Sequence, residues 1–181
     1  GHFEASQFVP KLEVPKVVDR ALGDVHPSGN PHVHLDPRNI ARIASALSER
    51  LLQLDPANAE TYRSRATSFQ QRWQAALRKW DRDAAPLKGM PIVVYHKDMS
   101  YFINWAGMRE AGSLEPKPGL PPSPAHLADV IMKMKQLTAR VIIVDPYLTR
   151  KTADAEARST GATVVHVAQF PAGERGSLSG S

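Results

Sequence analysis

The architecture of this chain follows from the segment Pro91-Ile92-Val93-Val94-Tyr95, a short run of apolar and mostly β-branched residues. Such a run is typical of a buried strand. Two further runs of this kind follow, with helical patterns in the intervals; strands are expected at 140–144 and 163–167, and helices at 100–106, from 124 onward and at 149–159. Strands that alternate with helices predict an α/β fold, with a parallel sheet covered by helices on both faces.

Two helices are predicted before this sheet. Asp36 followed by Pro37 is a helix-start signal, because aspartate caps backbone N–H groups and proline has no N–H to leave unpaired. Asp55-Pro56 repeats the signal, and apolar and aromatic residues then recur at helical spacing over 62–80. The second helix is expected over about 57–84, roughly 40 Å at 1.5 Å per residue, a length typical of a helix that braces two lobes.

The composition excludes several kinds of site. The 181 residues include no cysteine, which rules out thiolate zinc sites, disulfides and a cysteine nucleophile. The net charge of +5 comes from Lys and Arg that alternate with Glu and Asp, a pattern of solvated helix faces rather than of a nucleic-acid surface. No apolar run approaches the ~20 residues of a membrane span. No signal peptide is visible, as in a cytosolic, a processed or a partial chain.

Histidines in two loops beside helix starts are the candidate metal ligands, because histidine commonly binds borderline transition metals. His32 and His34 lie just before the first helix, and His96 directly follows the strand at 91–95. Asp145 follows the strand at 140–144, so it shares the carboxyl edge of the sheet, where α/β proteins bind ligands. Both edge residues also have a structural interpretation: a loop hydrogen bond for His96 and a turn cap for Asp145.

Two further polar residues are interpreted as structural. His126 lies three residues after the predicted helix cap Ser123, where a cation would oppose the helix dipole. We therefore expect a neutral imidazole that anchors a loop by hydrogen bonding. Glu115 lies in a proline-rich loop, where a surface salt bridge is favoured over a position at the rim of a cleft. No phosphate loop, Gly-x-Ser-x-Gly motif or glycosidase-like pair of carboxylates is present, so the sequence shows no catalytic machinery.

The spacing of His32 and His34 also resembles the His-x-His pair of the amidohydrolase metalloenzymes, with Asp36 as a following acid. Such a pair ends a strand inside a barrel of ~250 residues, whereas here a loop rich in proline and glycine precedes it and a helix follows. A metallohydrolase therefore stays an alternative hypothesis. A metal-independent adhesin or partner-binding module is another.

Three motifs follow one another along the chain; they are GDVHP at 23–27 with GNPHVHLDP at 29–37, YHKDMSYF at 95–102, and LEPKPGLPPSPAHL at 114–127. Together they resemble the cluster A-1 solute-binding proteins of bacterial ABC transporters, which are specific for zinc or manganese. The resemblance covers about Phe3 to Val167. It implies two α/β lobes joined by one rigid helix, with the metal held in a cleft between the lobes.

The resemblance also implies the function and the ligands. The metal ligands would be His32 and His96, and a histidine at position 96 favours zinc over manganese because imidazole suits zinc better. His34, Asp145 and Glu174 are further candidates, as ligands or as neighbours of the site. The protein would not be an enzyme; it would be periplasmic, or extracellular and membrane-associated. It would carry Zn²⁺, alternatively Mn²⁺, to the membrane permease of an ABC importer and release the metal as the histidines protonate.

The chain departs from the family pattern in two ways. Residues 1–37 supply no first strand and no further histidine loop of an N-terminal lobe, and the family's last ligand, an acid after the final strands, has no clear counterpart. We therefore expect a fragment, a shortened protein or a dimer that exchanges pieces, and weaker zinc binding by these residues than by a chain with all ligands. The expected organisation is the end of the N-terminal lobe with the metal loop at 1–56, a linking helix at 57–86, a C-terminal α/β lobe at 87–170 and a flexible tail at 171–181.

Overall fold

A computed structural model describes residues 2–15, 27–117, 119–145 and 150–168. Glu174 and the predicted tail at 171–181 lie outside these residues. The chain divides into two compact units. The first comprises Gly1–Met90, Asp98–Arg109 and Lys117–Gly119, and the second comprises Pro91–Lys97, Glu110–Pro116 and Leu120–Ser181.

Helices and strands alternate along the second half of the chain, which confirms the predicted α/β class. In chain order, the elements are α1 (Pro37–Leu54), α2 (Ala59–Ala84), β1 (Pro91–Val94), α3 (Ser100–Ala106), β2 (Arg109–Ser113), α4 (Pro124–Leu137), β3 (Val141–Val144), α5 (Arg150–Thr160) and β4 (Thr163–His166). In the described part of the chain, none of the helices has both the length and the apolar character needed to cross a membrane.

Helix α1 begins as its sequence predicted. The Asp36 side chain accepts a hydrogen bond from the backbone N–H of Arg38 at 2.9 Å, and Pro37 occupies the first helical position. At the next residue, the buried Asn39 amide donates to the carbonyl oxygen of Val33 at 2.9 Å. These two bonds join α1 firmly to the loop that precedes it.

The signal at Asp55 was only partly right. Residues Pro56–Asn58 form a short 3-10 turn, and α2 begins at Ala59 rather than at position 57. The Asp55 carboxylate accepts hydrogen bonds from the side chains of Asn58 at 2.8 Å and Tyr62 at 2.7 Å, so it is engaged by side chains of the first turns. An aspartate before a proline thus marks where helical backbone starts, but not which group the carboxylate binds.

Helices α1 and α2 pack antiparallel within the first unit. Gln70 donates to the carbonyl oxygen of Ala41 at 2.7 Å, and the Trp73 indole N–H donates to that of Pro37 at 2.8 Å. Residue numbers rise along α2 while those of the partners fall along α1, which fixes the antiparallel direction. Trp73 also meets Trp80 edge-on, with ring centroids 5.2 Å apart. The aromatic stripe of α2 is therefore a packing surface.

The sheet lies in the second unit and has the strand order β2-β1-β3-β4. Pairing of β1 with β3 and of β3 with β4 is parallel. At the ends of β2 and β1, Leu114 N–H donates to Val94 O at 2.9 Å and Glu115 N–H donates to Tyr95 O at 3.0 Å. Residue numbers rise together on both sides of these bonds, so β2 and β1 are parallel too. All four strands therefore end at one carboxyl edge of the sheet.

The core of the second unit forms where α4 and α5 meet the sheet. Its buried members are Val93, Leu114, Val130, Met134, Ala139, Ile142, Val144 and Ala153. After its first residue, each of the central strands β1 and β3 is buried throughout, which is why they read as unbroken apolar runs rather than as alternating patterns. This rigid core fixes the positions of the residues that follow each strand.

The acidic side chain of Glu156 on α5 is buried in this unit. Only 6% of Glu156 is exposed, and its Oε2 atom has no hydrogen-bond partner among the described residues. Burial raises the pKa of Glu156 above its ordinary value of 4.5, because the charged form loses hydration. The carboxylate therefore destabilises the native state when it is ionised.

We expect Glu156→Gln to raise the melting temperature at about pH 8 by roughly 2–4 °C, which corresponds to about 1 kcal/mol in a chain of this size. In the unfolded chain the pKa is not raised, so the native state binds more protons, and the stability of the wild type falls as pH rises between the two pKa values. The gain should therefore disappear below about pH 4.

Thermal unfolding between these pH values checks this expectation. The same substitution at the exposed Glu49 of α1 is the control and should give no pH-dependent difference. A variant at position 156 that melts no higher than wild type at the alkaline end would contradict it.

Candidate metal centre

The loop that carries His32 is fixed by its path past Leu12 in the first unit. It enters at Gly29, whose φ of +90° lies in the left-handed region. A Cβ at position 29 would lie 2.8 Å from the carbonyl oxygen of Leu12, so the site requires glycine. The next residue, Asn30, donates its backbone N–H to that same oxygen at 2.9 Å. The approach of these two backbones sets the start of the loop.

A buried tyrosine from α3 fixes the same loop from a second side. The Tyr101 hydroxyl donates to the carbonyl oxygen of Asn30 at 3.0 Å and accepts from the backbone N–H of Leu12 at 3.0 Å. Its ring packs with Val9 and Val33 in a small apolar cluster and is 1% exposed. The backbone around Asn30 is thus held by three hydrogen bonds and by this cluster.

The side chain of Asn30 in turn orients His32. Its Oδ1 atom lies 2.9 Å from the backbone nitrogen of His32 and 2.9 Å from the ring nitrogen Nδ1. Its Nδ2 atom donates to a carboxylate oxygen of Glu13 at 2.8 Å, so the amide oxygen, not the nitrogen, faces the ring. A neutral His32 then carries its proton on Nδ1, and Nε2 holds the lone pair that a metal ion needs.

His34 lies beside His32, as the spacing of the pair suggests. The ring centroids are 6.3 Å apart. However, the two residues enter a 3-10 turn over Val33–Leu35 that leads directly to the α1 cap, instead of ending a buried strand. The backbone around the pair is therefore unlike that of the amidohydrolase His-x-His pair, in which both histidines end a strand.

His96 is oriented by a carboxylate in the second unit. It follows β1, and its Nδ1 atom lies 2.5 Å from Oε2 of Glu115, which follows β2. The backbone bond from Glu115 to Tyr95 extends the strand pairing and carries both side chains to the carboxyl edge of the sheet. The interpretation of Glu115 as a surface salt bridge was therefore wrong: its side chain is 16% exposed and its partner is the candidate ligand.

A carboxylate on Nδ1 has a known effect on a metal-binding imidazole. It holds the proton on Nδ1, fixes the ring plane and makes Nε2 a stronger donor. His96 has this arrangement with Glu115, and His32 has the corresponding arrangement with the amide oxygen of Asn30. In each unit, one imidazole therefore has an oxygen acceptor at Nδ1, so its neutral form has the lone pair on Nε2.

Asp145 lies at the same edge of the sheet as His96. The register pairs Val94 with Ile143, and His96 and Asp145 both come two residues after that pair. Asp145 is buried. Within the residues that the structure describes, no three His, Asp or Glu side chains come close enough to hold a metal ion together. His32 belongs to the first unit and His96 to the second.

His126 has the structural role that its position predicted. Its Nε2 atom lies 2.9 Å from the carbonyl oxygen of Ser113, and its backbone N–H donates to the Ser123 hydroxyl at 3.2 Å. A carbonyl oxygen only accepts, so the ring donates its proton there. His126 thus ties the start of α4 to the end of β2, two residues before Glu115.

This fold is that of two-lobed, ZnuA-type solute-binding proteins. The chain superposes on a crystal structure of ZnuA with a TM-score of 0.77 and 22% sequence identity, covering 93% of this chain and 62% of that one. Sequence comparison is more specific. The chain belongs to the family described as zinc-uptake complex component A, periplasmic (ZnuA), whose model matches residues 2–177.

Two curated relatives differ in the metal in their names. The high-affinity zinc uptake system protein ZnuA of Brucella abortus (strain 2308) is 30% identical over 120 residues, covering 66% of this chain and 36% of that protein. The manganese-binding lipoprotein MntA of Halalkalibacterium halodurans is 22% identical over 164 residues, covering 89% of this chain and 54% of that one. The chain therefore spans about a third to a half of the length of these relatives.

The geometry of the His32 loop leads to a stability prediction. We expect Gly29→Ala to lower the free energy of unfolding by roughly 2–3 kcal/mol, because the new methyl group meets Leu12 O in addition to the left-handed backbone. Gly89→Ala is a matched control: its φ is +77°, but nothing lies within 4 Å of the added carbon, so about 1 kcal/mol is expected. Urea unfolding measures both, and equal losses would mean that the loop adjusts to the methyl group.

Proposed function

We propose that this protein binds a divalent transition-metal ion and delivers it to the membrane permease of an ABC importer, as a component that is not itself an enzyme. Zinc is the preferred cargo and manganese the alternative. The protein would work in the periplasm, or outside the cell at the membrane. One observation carries the proposal: an oxygen acceptor faces Nδ1 of each candidate ligand, His32 and His96, as is typical of metal-binding histidines.

The donor chemistry supports zinc. Two neutral imidazole nitrogens suit zinc, which binds them at ~2.0–2.1 Å, better than they suit the harder manganese ion. The family description and the Brucella relative also name zinc. The relative that binds manganese keeps the second metal open, so the proposal ranks zinc first and tests both.

Three further residues are candidates for the remaining metal ligands. A tetrahedral zinc site takes four donors, so His32 and His96 would need partners. Asp145 is a candidate because it shares the carboxyl edge of the sheet with His96. His34 is a candidate because its ring adjoins that of His32. Glu174, beyond the described residues, stays a candidate by its position in the sequence.

We expect His32→Ala and His96→Ala each to weaken zinc binding at least about 100-fold, because each removes a donor rather than a neighbour of one. Calorimetric titration of the wild type and the variants with zinc, and then with manganese, measures this. The exposed His2 supplies the control, and His2→Ala should bind as wild type does. Unchanged affinity in either test variant would mean that the residue is not a ligand.

We expect Glu115→Ala to weaken zinc binding about 10- to 100-fold without removing a donor, because His96 would lose the acceptor that orients it. Glu115→Gln keeps an acceptor oxygen, so its zinc affinity should fall less than that of Glu115→Ala. Glu110→Ala is the control, since Glu110 lies on β2 but pairs with Lys97 at 3.7 Å. The zinc-induced rise in melting temperature gives a second readout, because a metal that binds only the native state stabilises it.

The same samples separate the alternative functions. Hydrolysis of an ester or amide by the zinc-loaded protein, stopped by a chelator, would favour the metallohydrolase. Binding of a partner that persists in chelator would favour the adhesin or partner-binding module. A stoichiometric zinc complex without turnover is the result that the transport proposal requires.

A further inference from the structure

A row of side-chain hydrogen bonds leads away from His32 and ends at Glu13, in a segment that no sequence motif singled out. His32 Nδ1 faces Asn30 Oδ1 at 2.9 Å, and Asn30 Nδ2 donates to Oε2 of Glu13 at 2.8 Å. The other carboxylate oxygen of Glu13 accepts from the hydroxyl of Ser100 at 3.0 Å. All four residues belong to the first unit.

The backbone of Glu13 is strained. Its φ is +54°, in the left-handed region that residues with a Cβ atom rarely adopt. Glu13 is also exposed, so burial of its side chain does not explain why this conformation persists. Backbone strain at residues other than glycine concentrates at functional sites, where a particular side-chain position is needed. Here that position puts a carboxylate against the Asn30 amide.

The Asn30 amide can face His32 in two ways, with opposite consequences. With its oxygen toward the ring, Nδ1 keeps the proton and Nε2 binds metal. If the amide turned over, its NH₂ group would donate to Nδ1, the proton would move to Nε2, and Nε2 could no longer act as a ligand. A carboxylate has only acceptor oxygens, so Glu13 attracts the NH₂ group and repels the amide oxygen. Two groups therefore oppose the turned-over state: the backbone N–H of His32, which donates to Asn30 Oδ1 at 2.9 Å, and the carboxylate of Glu13.

We propose that Glu13 is a positioning residue that sets the tautomer of His32 through Asn30. The effect of Glu13 on the tautomer does not depend on the proposed function. Only its consequence, that Nε2 of His32 is available to a metal ion, rests on that function. The backbone of Asn30 is held separately by Leu12 and Tyr101. Loss of the Glu13 carboxylate should therefore act on the side-chain amide, and Ser100 contributes by holding that carboxylate.

The tautomer can be measured without any metal. Nitrogen-15 NMR of the histidine rings, on the whole metal-free chain at about pH 8, where an ordinary imidazole is neutral, distinguishes Nδ1–H from Nε2–H. The wild type should show His32 protonated on Nδ1. Glu13→Ala should show a measurable share of the Nε2–H form beside the Nδ1–H form that the His32 backbone N–H still favours, and Glu13→Gln, which keeps an acceptor oxygen, should restore most of the Nδ1–H form. The matched control is Glu4→Ala, because the exposed Glu4 also accepts two side-chain hydrogen bonds, from Ser6 and Gln7.

Zinc titration of the same variants tests the consequence. Glu13→Ala should bind zinc about tenfold more weakly, at the lower end of the range for groups that orient a ligand. Glu13→Gly should also bind about tenfold more weakly, although glycine relieves the left-handed backbone and keeps or raises the melting temperature. If Glu13 had only a structural role, zinc affinity would follow stability, and Glu13→Gly would bind zinc at least as tightly as the wild type. Glycine also provides a folded variant if alanine at this position does not fold.

Two results have separate meanings. If Glu13→Ala and Glu13→Gly keep the wild-type tautomer and zinc affinity, the positioning role is overturned. If these variants shift the tautomer but His32→Ala leaves zinc affinity unchanged, Glu13 does set the tautomer, and the proposed function fails at His32. The metal-free NMR measurement and the titration thus distinguish the failure of one proposal from the failure of the other.

Discussion

An imidazole has two ring nitrogens and, when neutral, one proton, so the group beside one nitrogen decides whether the other can bind a metal. This constraint gives a common purpose to features that otherwise look unrelated. In the first unit, Gly29 and Tyr101 fix the loop so that the Asn30 amide faces His32. In the second unit, the pairing of β1 and β2 brings Glu115 to His96. In each unit, the local structure holds one oxygen acceptor against the Nδ1 atom of one histidine.

The two units meet this constraint with acceptors of different strength. An amide oxygen fixes the tautomer of His32 but adds little charge to the ring. The carboxylate of Glu115 fixes the tautomer of His96 and also makes its Nε2 atom more basic. The amide has a further weakness, because it can turn over, whereas both carboxylate oxygens are acceptors. An asparagine in this role therefore needs neighbours that fix its amide: the backbone N–H of His32 holds the oxygen, and Glu13 holds the nitrogen.

The sequence predicted the parts of the structure that depend on local signals. Asp36 and Ser123 cap helices because a short polar side chain reaches N–H groups two or three residues ahead, and that relation is written in the order of residues. The strands around Val93 and Ile142 were predictable because complete burial demands unbroken apolar runs. His96 was likewise placed correctly at the carboxyl edge, because it directly follows its strand.

The orienting contacts were not predictable in this way. Glu115 and His96 are 19 residues apart, and Glu13 and Asn30 are 17 apart, so both contacts depend on chain paths that no local pattern encodes. The strand that delivers Glu115 reads Arg-Glu-Ala-Gly-Ser, which has neither β-branched residues nor a clear alternation. Glu13 carries no sign of its left-handed backbone, because that region usually selects glycine or asparagine. Only the position of Glu115 had a signal in the sequence: it follows the apolar Leu114, as His96 follows the apolar strand β1, which indicates a place at the carboxyl edge of the sheet.

Charge gives these orienting residues a second role. The chain has a net charge of +5, which does not favour a divalent cation, and charges farther than ~10 Å apart are largely screened by salt. What a metal ion experiences is therefore the local arrangement of charge. Glu115 directly contacts His96, and Glu13 is one amide away from His32, so a negative charge lies behind each candidate ligand. In the proposed site, the neutral imidazoles of His32 and His96 bind the ion while Glu13 and Glu115 offset part of its charge from outside the coordination sphere, so these two positions supply nitrogen donors, which favour zinc.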